Sequence, residues 1–155
     1  TLLALDSYGA AAPASDAKTR AESFLATAQP GKSTEWHVVR LLLQPGGESL
    51  RSELLRHQHP DGGWGWLAAD PSDAFGTGMA LYALARSGFS SSEGAVQRAV
   101  NLLKTTQQPD GSWRVPSTRA KDKNKVNETA TYWGTAWAVI GLLESQTPPA
   151  QAPGK

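Results

Sequence analysis

The chain has 155 residues, a common size for one domain that buries a core without covalent staples. Its 39% hydrophobic and 19% charged residues exclude a disordered polyelectrolyte and a membrane span, and a net charge of +1 supplies no basic field for nucleic acid. Zero cysteines remove disulfides, thiolate metal sites and cysteine nucleophiles, while fifteen glycines and six tryptophans stand out.

Leu3-Ala4-Leu5-Asp6-Ser7 is similar to the helix end Tyr82-Ala83-Leu84-Ala85-Arg86-Ser87, so the chain is expected to open in the tail of an earlier repeat rather than in a secretory leader. A helix over 16–28 runs into the breaker Gln29-Pro30-Gly31, and a second over 34–44 carries the apolar stretch Trp36 to Leu43. A third, over 48–58, ends in Leu54-Leu55-Arg56 and leads into Gln58-His59-Pro60-Asp61-Gly62-Gly63-Trp64. Helix 73–87 follows, uncharged from 74 to 85, and then Ser90 to Glu93 has the spacing of a capping box for helix 92–107. That helix is amphipathic, with Val96, Ala99, Val100 and Leu103 on one face.

Gln107-Gln108-Pro109-Asp110-Gly111-Ser112-Trp113 then repeats the earlier segment at a shift of 49 residues. The small apolar stretches that follow, Gly76 to Leu81 and Gly134 to Val139, are shifted by 58, so the second repeat holds nine extra residues between Arg114 and Thr131. The insertion is basic: Arg114 to Lys125 carries a net +4, read as a solvated loop that is also suited to an anionic headgroup. Helix 130–146, uncharged as far as 143, completes the pattern before the tail 147–155, a linker or chain end that cannot continue a helix.

Amphipathic and uncharged helices therefore alternate. Amphipathic helices lie on a surface and wholly apolar ones are enclosed, which predicts an all-α protein with inner and outer layers, an α/α barrel or an arc of one. Pro60 and Pro109 stop the outer helices, the Asp-Gly pairs turn the chain, and glycines in the inner helices permit close packing. Repeat arrays need neighbours to cover their end faces, so an incomplete arc of about three hairpins is expected.

The core Gln-x-x-Asp-Gly-x-Trp, carried by Gln58, Asp61, Gly62 and Trp64 and again by Gln107, Asp110, Gly111 and Trp113, resembles the QW repeat of squalene-hopene and oxidosqualene cyclases, relatives of the protein prenyltransferases. The resemblance implies an α/α toroid in which Gln and Trp tie an outer helix to the next inner helix. It also implies an Asp-x-Asp-Asp acid motif near the start of an inner helix. The nearest match, Asp70-Pro71-Ser72-Asp73, makes Asp70 and Asp73 the catalytic candidates but puts Ser72 at the acid position. An aspartate at a helix N-terminus is expected to be held as the anion, so capping is the favoured role.

No metal or cofactor is expected. The zinc set of the prenyltransferases needs a cysteine; His57 and His59 near Asp61 are read as solvated, His37 as a packing or surface histidine, and the sequon Asn127-Glu128-Thr129 as chance. Trp66, Phe75, Tyr82, Tyr132, Trp133 and Trp137 are the candidate ligand-binding aromatics, at least half of them expected to be filling. The expected unit is 1–146, a repeat segment of a larger protein serving as a non-catalytic scaffold or apolar-ligand module. Its expected partners are further repeats, in the same polypeptide or another chain, and an isoprenoid-like small molecule. The alternatives are a catalytic terpene cyclase segment and a carbohydrate-binding or carbohydrate-processing α/α barrel.

Overall fold

A computed structural model describes residues 12–123 and 125–146, so the tail 147–155 and the opening Leu3 to Ser7 lie outside the described residues. The chain divides into two compact units, Thr1–Gly31 and Lys32–Lys155. The first holds α1 (Ala12–Thr27), which ends with the Thr27 hydroxyl donating back to the carbonyls of Ser23 and Phe24.

The second unit holds α2 (Thr34–Leu43), α3 (Glu48–Arg56), α4 (Ala74–Arg86), α5 (Gly94–Thr106), a 3-10 turn at Ala120–Asp122, and α6 (Glu128–Gln146). No strand occurs among the described residues, where three isolated bridges supply the extended pairing. Helix α4 packs between α2 and α6, with α3 behind α2 and α5 behind α4 and α6. This is the two-layer arrangement of an α/α-toroid arc, with α2, α4 and α6 inside.

The inner helices share one starting device. Ser33 caps α2 by accepting from Trp36 N at 3.2 Å, Asp73 caps α4 from Gly76 N at 2.7 Å, and Asn127 caps α6 from Ala130 N at 3.0 Å. The outer helices α3 and α5 begin at Gly47 and Glu93 without a side-chain cap. The capping box expected from Ser90 to Glu93 does not form, because the Ser90 hydroxyl accepts instead from Ser92 N at 3.2 Å and the helix starts only at Gly94.

Between the layers lies the core of Leu41, Leu54, Trp64, Leu81, Leu84 and Leu103, all 0–1% exposed. The expected face of α5 is the buried one, through Val96, Ala99 and Leu103. Helix α4 is enclosed as its lack of charge predicts, with nine buried residues out of thirteen. Helix α6 departs from the same expectation. It buries Gly134, Ala138, Gly141 and Ser145 against its neighbours while Tyr132, Trp133, Val139 and Ile140 are exposed. Only one side of α6 has an inner helix beside it among the described residues, so its uncharged stretch 130–143 is half covered.

Candidate functional site

The two repeated segments fold into the same turn. His59 N donates to Gly63 O at 2.9 Å and Gln108 N to Ser112 O at 2.8 Å, while Gly62 and Gly111 take φ of +93° and +84°, conformations that L side chains rarely adopt. Each aspartate then fixes its turn, Asp61 accepting from Gly63 N at 3.0 Å and Asp110 from Ser112 N at 2.9 Å. Side chains reach outward from this frame. The Trp64 indole N–H donates to Leu54 O at 2.8 Å and that of Trp113 to Leu103 O at 2.8 Å, in each case ten residues upstream on the preceding outer helix.

The backbone of each tryptophan is held by the next inner helix. Trp64 N donates to Thr77 Oγ1 at 3.0 Å on α4, and Trp113 N to Thr135 Oγ1 at 3.1 Å on α6. The intervals are 13 and 22 residues, so the nine inserted residues leave this bond in place. The glutamines differ. Gln58 Nε2 donates to Gly62 O at 2.9 Å and to Ala95 O of α5 at 2.8 Å, and its oxygen accepts from Arg98; Gln107 Nε2 donates to Gly111 O at 3.0 Å.

The structure divides the six candidate aromatics. Trp66 and Phe75 stack at 5.7 Å with ring planes 12° apart, and together with Trp133 they line a pocket of about 450 Å³ near the N-terminal ends of α4 and α6. Tyr82 and Trp137 instead pair edge to face at 5.8 Å, and Tyr132, 69% exposed, meets the edge of Trp133.

The inserted loop contributes Ser117, Thr118 and Arg119 to the same pocket. Its basic side chains are exposed, as expected of a solvated loop, while its backbone is tied down. Ser117 N donates to Lys125 O at 2.9 Å, Asn127 N to Val115 O at 3.1 Å, and Lys123 Nζ stands 2.5 Å from Asp70 Oδ1, which ties the basic loop to the candidate acid motif. Asn127 of the sequon spends its amide oxygen on capping α6.

Asp73 lies elsewhere, lining a smaller pocket of about 210 Å³ with Leu102 and Trp113. Burial pushes its carboxyl up to about 6, against the backbone hydrogen bonds from Gly76, Phe75 and Trp66 that favour the anion. The expected capping role is met through Gly76 N, while desolvation outweighs the cap in setting where the carboxyl titrates. Ser72 Oγ donates to Asp61 at 2.8 Å and lies 3.0 Å from His59 Nδ1, whose Nε2 donates to Ala68 O at 2.9 Å. Through these two contacts Ser72 braces the first turn between Asp61 and His59.

The histidines also regroup. His59 joins this brace, while His57 meets His37 at a ring separation of 4.7 Å and both stand beside Glu53. Sequence reasoning missed this trio because His37 and Glu53 are sixteen positions apart on different helices. The available signal was the i, i+4 spacing of Glu53 and His57 on one helix.

Residues 48–153 match the family described as the squalene-hopene cyclase C-terminal domain. The chain belongs to that family, and its repeats form a terpene cyclase-like α/α-toroid segment. A drimenyl diphosphate synthase of Streptomyces showdoensis is 40% identical over 67 residues, which are 43% of this chain and 13% of that protein. The chain thus matches a small part of that relative. No described helix is long and apolar enough to cross a membrane.

Proposed function

We propose that the chain is a non-catalytic toroid segment whose aromatic pocket takes an isoprenoid-like ligand. The observation that supports this is the separation of acid and aromatic wall: Trp66, Phe75 and Trp133 line one pocket, and Asp73 another. Protonating an alkene requires the acid within contact of a carbon whose developing charge faces aromatic rings. Here Asp73 does not share the cavity of Trp66, Phe75 and Trp133, and Ser72 occupies the acid position of the motif.

Arg119 gives the aromatic pocket a cationic end. That combination suits an apolar tail with an anionic head, the chemistry carried in the streptomycete relative's name. The reading treats 1–146 as one repeat segment followed by a proline-rich tail. It takes further repeats, from the same polypeptide or another chain, as the cover for the face of α6 that exposes Tyr132, Val139 and Ile140.

The test is tryptophan fluorescence of the full chain titrated with farnesyl diphosphate, farnesol and maltotriose. Saturable quenching by the two isoprenoids, tighter for the diphosphate, is expected. Trp133→Ala should weaken both, and Arg119→Ala should narrow the gap between them. Saturation by maltotriose alone would move the protein to the carbohydrate class, and silence with all three would remove the ligand reading.

A second reading, a catalytic cyclase segment, is favoured by one observation: the Asp73 carboxyl, pushed up to about 6, is close to the range in which an acid donates its proton at physiological pH. Cyclised product from a polyene incubated with the full chain, abolished in Asp73→Asn, would establish it and overturn the non-catalytic proposal.

A further inference from the structure

We propose that His37, Glu53 and His57 form a binding site for one zinc-class divalent cation, separate from the aromatic pocket and independent of the reading given to it. His37 stands in the first turn of α2, Glu53 within α3, and His57 at the C-cap of α3. Helices α2 and α3 pack against each other, so an inner and an outer helix supply ligands from facing sides. Glu53 and His57, four residues apart, project from one helix face.

One ligand atom from each residue lies within 4.8 Å of the other two, with His37 Nδ1 3.8 Å from Glu53 Oε1. Zinc bonds of about 2.0–2.2 Å in a tetrahedron hold the ligand atoms roughly 3.4 Å apart. The trio therefore needs to close by about 1 Å, a small side-chain rotation. All three residues are half-buried, so the site is both shaped and reachable.

Two imidazoles and one carboxylate form a set that suits zinc, nickel or copper better than magnesium or calcium, which take oxygen ligands. Burial above all, then His57, Arg40 and Arg56, hold the His37 pKa below the usual imidazole value, while Glu53 acts the other way. Arg40 and Arg56 oppose a second cation, and the Glu53 carboxylate offsets part of that repulsion. A bound ion would join the start of α2 to the end of α3, next to Gln58 of the first turn, and would leave a fourth position for water.

The full chain, stripped with a chelator, is titrated with zinc chloride by calorimetry and with cobalt chloride by visible absorption. One equivalent of zinc and the intense bands of tetrahedral cobalt are expected. Glu53→Gln and His57→Gln should each weaken zinc by at least about tenfold, since loss of even an outer-shell partner costs that much. His59→Gln, whose ring bonds Ser72 and Ala68, should bind as the parent does. Circular dichroism of the metal-free variants shows which are folded, and Glu53→Gln, a near-isosteric change at a side chain 40% exposed, decides the matter if His57→Gln is not. A parent chain that takes up neither metal, or a folded Glu53→Gln that binds zinc as tightly as the parent, would overturn the proposal.

Discussion

Gly78 of α4 and Gly141 of α6 meet backbone to backbone: a Cβ built on Gly141 would overlap the Gly78 carbonyl, and one on Gly78 the backbone at Trp137. The two inner helices approach this closely because neither has a side chain at the crossing. Glycine in a helix interior costs about 1 kcal/mol relative to alanine, so propensity alone would make Gly→Ala stabilising at both sites. The overlapped atoms are backbone and cannot swing aside.

Gly78→Ala and Gly141→Ala are therefore expected to destabilise the chain by about 2 kcal/mol or more, as overpacking of a tight contact does. Gly94→Ala, where the nearest neighbour of a new Cβ is the flexible Arg98 guanidinium at 3.6 Å, should be neutral or stabilising by roughly 0.5 kcal/mol. Urea unfolding of the three variants checks the opposed signs; a stabilised Gly141→Ala would show that the helices are not in contact there.

The threonine bonds predict a second contrast. Thr77, fully buried, accepts from Trp64 N at 3.0 Å and donates to Trp64 O at 3.3 Å. Thr77→Val keeps the shape and orphans a buried N–H, at an expected cost of about 1–3 kcal/mol. Thr135 is less buried, so Thr135→Val should cost less. Trp64→Phe, which removes the indole bond to Leu54 O and leaves space in the core, should exceed both, at about 2–4 kcal/mol. Equal midpoints in urea for Thr77→Val and the parent would remove the bond from the account.

The repeated turn was legible because its chemistry is local. Asp61, Gly62 and Trp64 recur as Asp110, Gly111 and Trp113 at fixed spacing, and a positive φ and an Asp turn each need particular residue types within a few positions. The two helix layers were legible for a similar reason, since α4 is uncharged from 74 to 85 while α5 carries its apolar residues on one face. What escaped depends on tertiary approach. That Trp66, Phe75 and Trp133 share a pocket while Tyr82 and Trp137 pair elsewhere follows from where α4 and α6 begin and cross, which composition does not encode. The Asp73 cap was legible because it is local, whereas the raised titration of its carboxyl comes from burial, which the local sequence does not encode.

That burial carries a pH dependence of definite sign. Asp73 has a reference value of 3.8 and a folded value raised to about 6, so between these values the native state binds more protons than the unfolded one. Stability from this group is fully present below about pH 4 and is lost as the pH rises through 6. At about 1.4 kcal/mol per pKa unit, a rise of about two units makes the loss on the order of 3 kcal/mol. Asp73→Asn retains a capping side chain and cannot ionise, so it isolates the effect from the other groups that titrate in this range, among them His37, whose lowered value acts in the opposite direction. Urea unfolding at pH 4 and pH 7 should therefore show Asp73→Asn gaining on the parent by about that amount as the pH rises. Parallel profiles for the two proteins would mean that Asp73 is ionised without penalty, which would also withdraw the observation favouring an acid at this position.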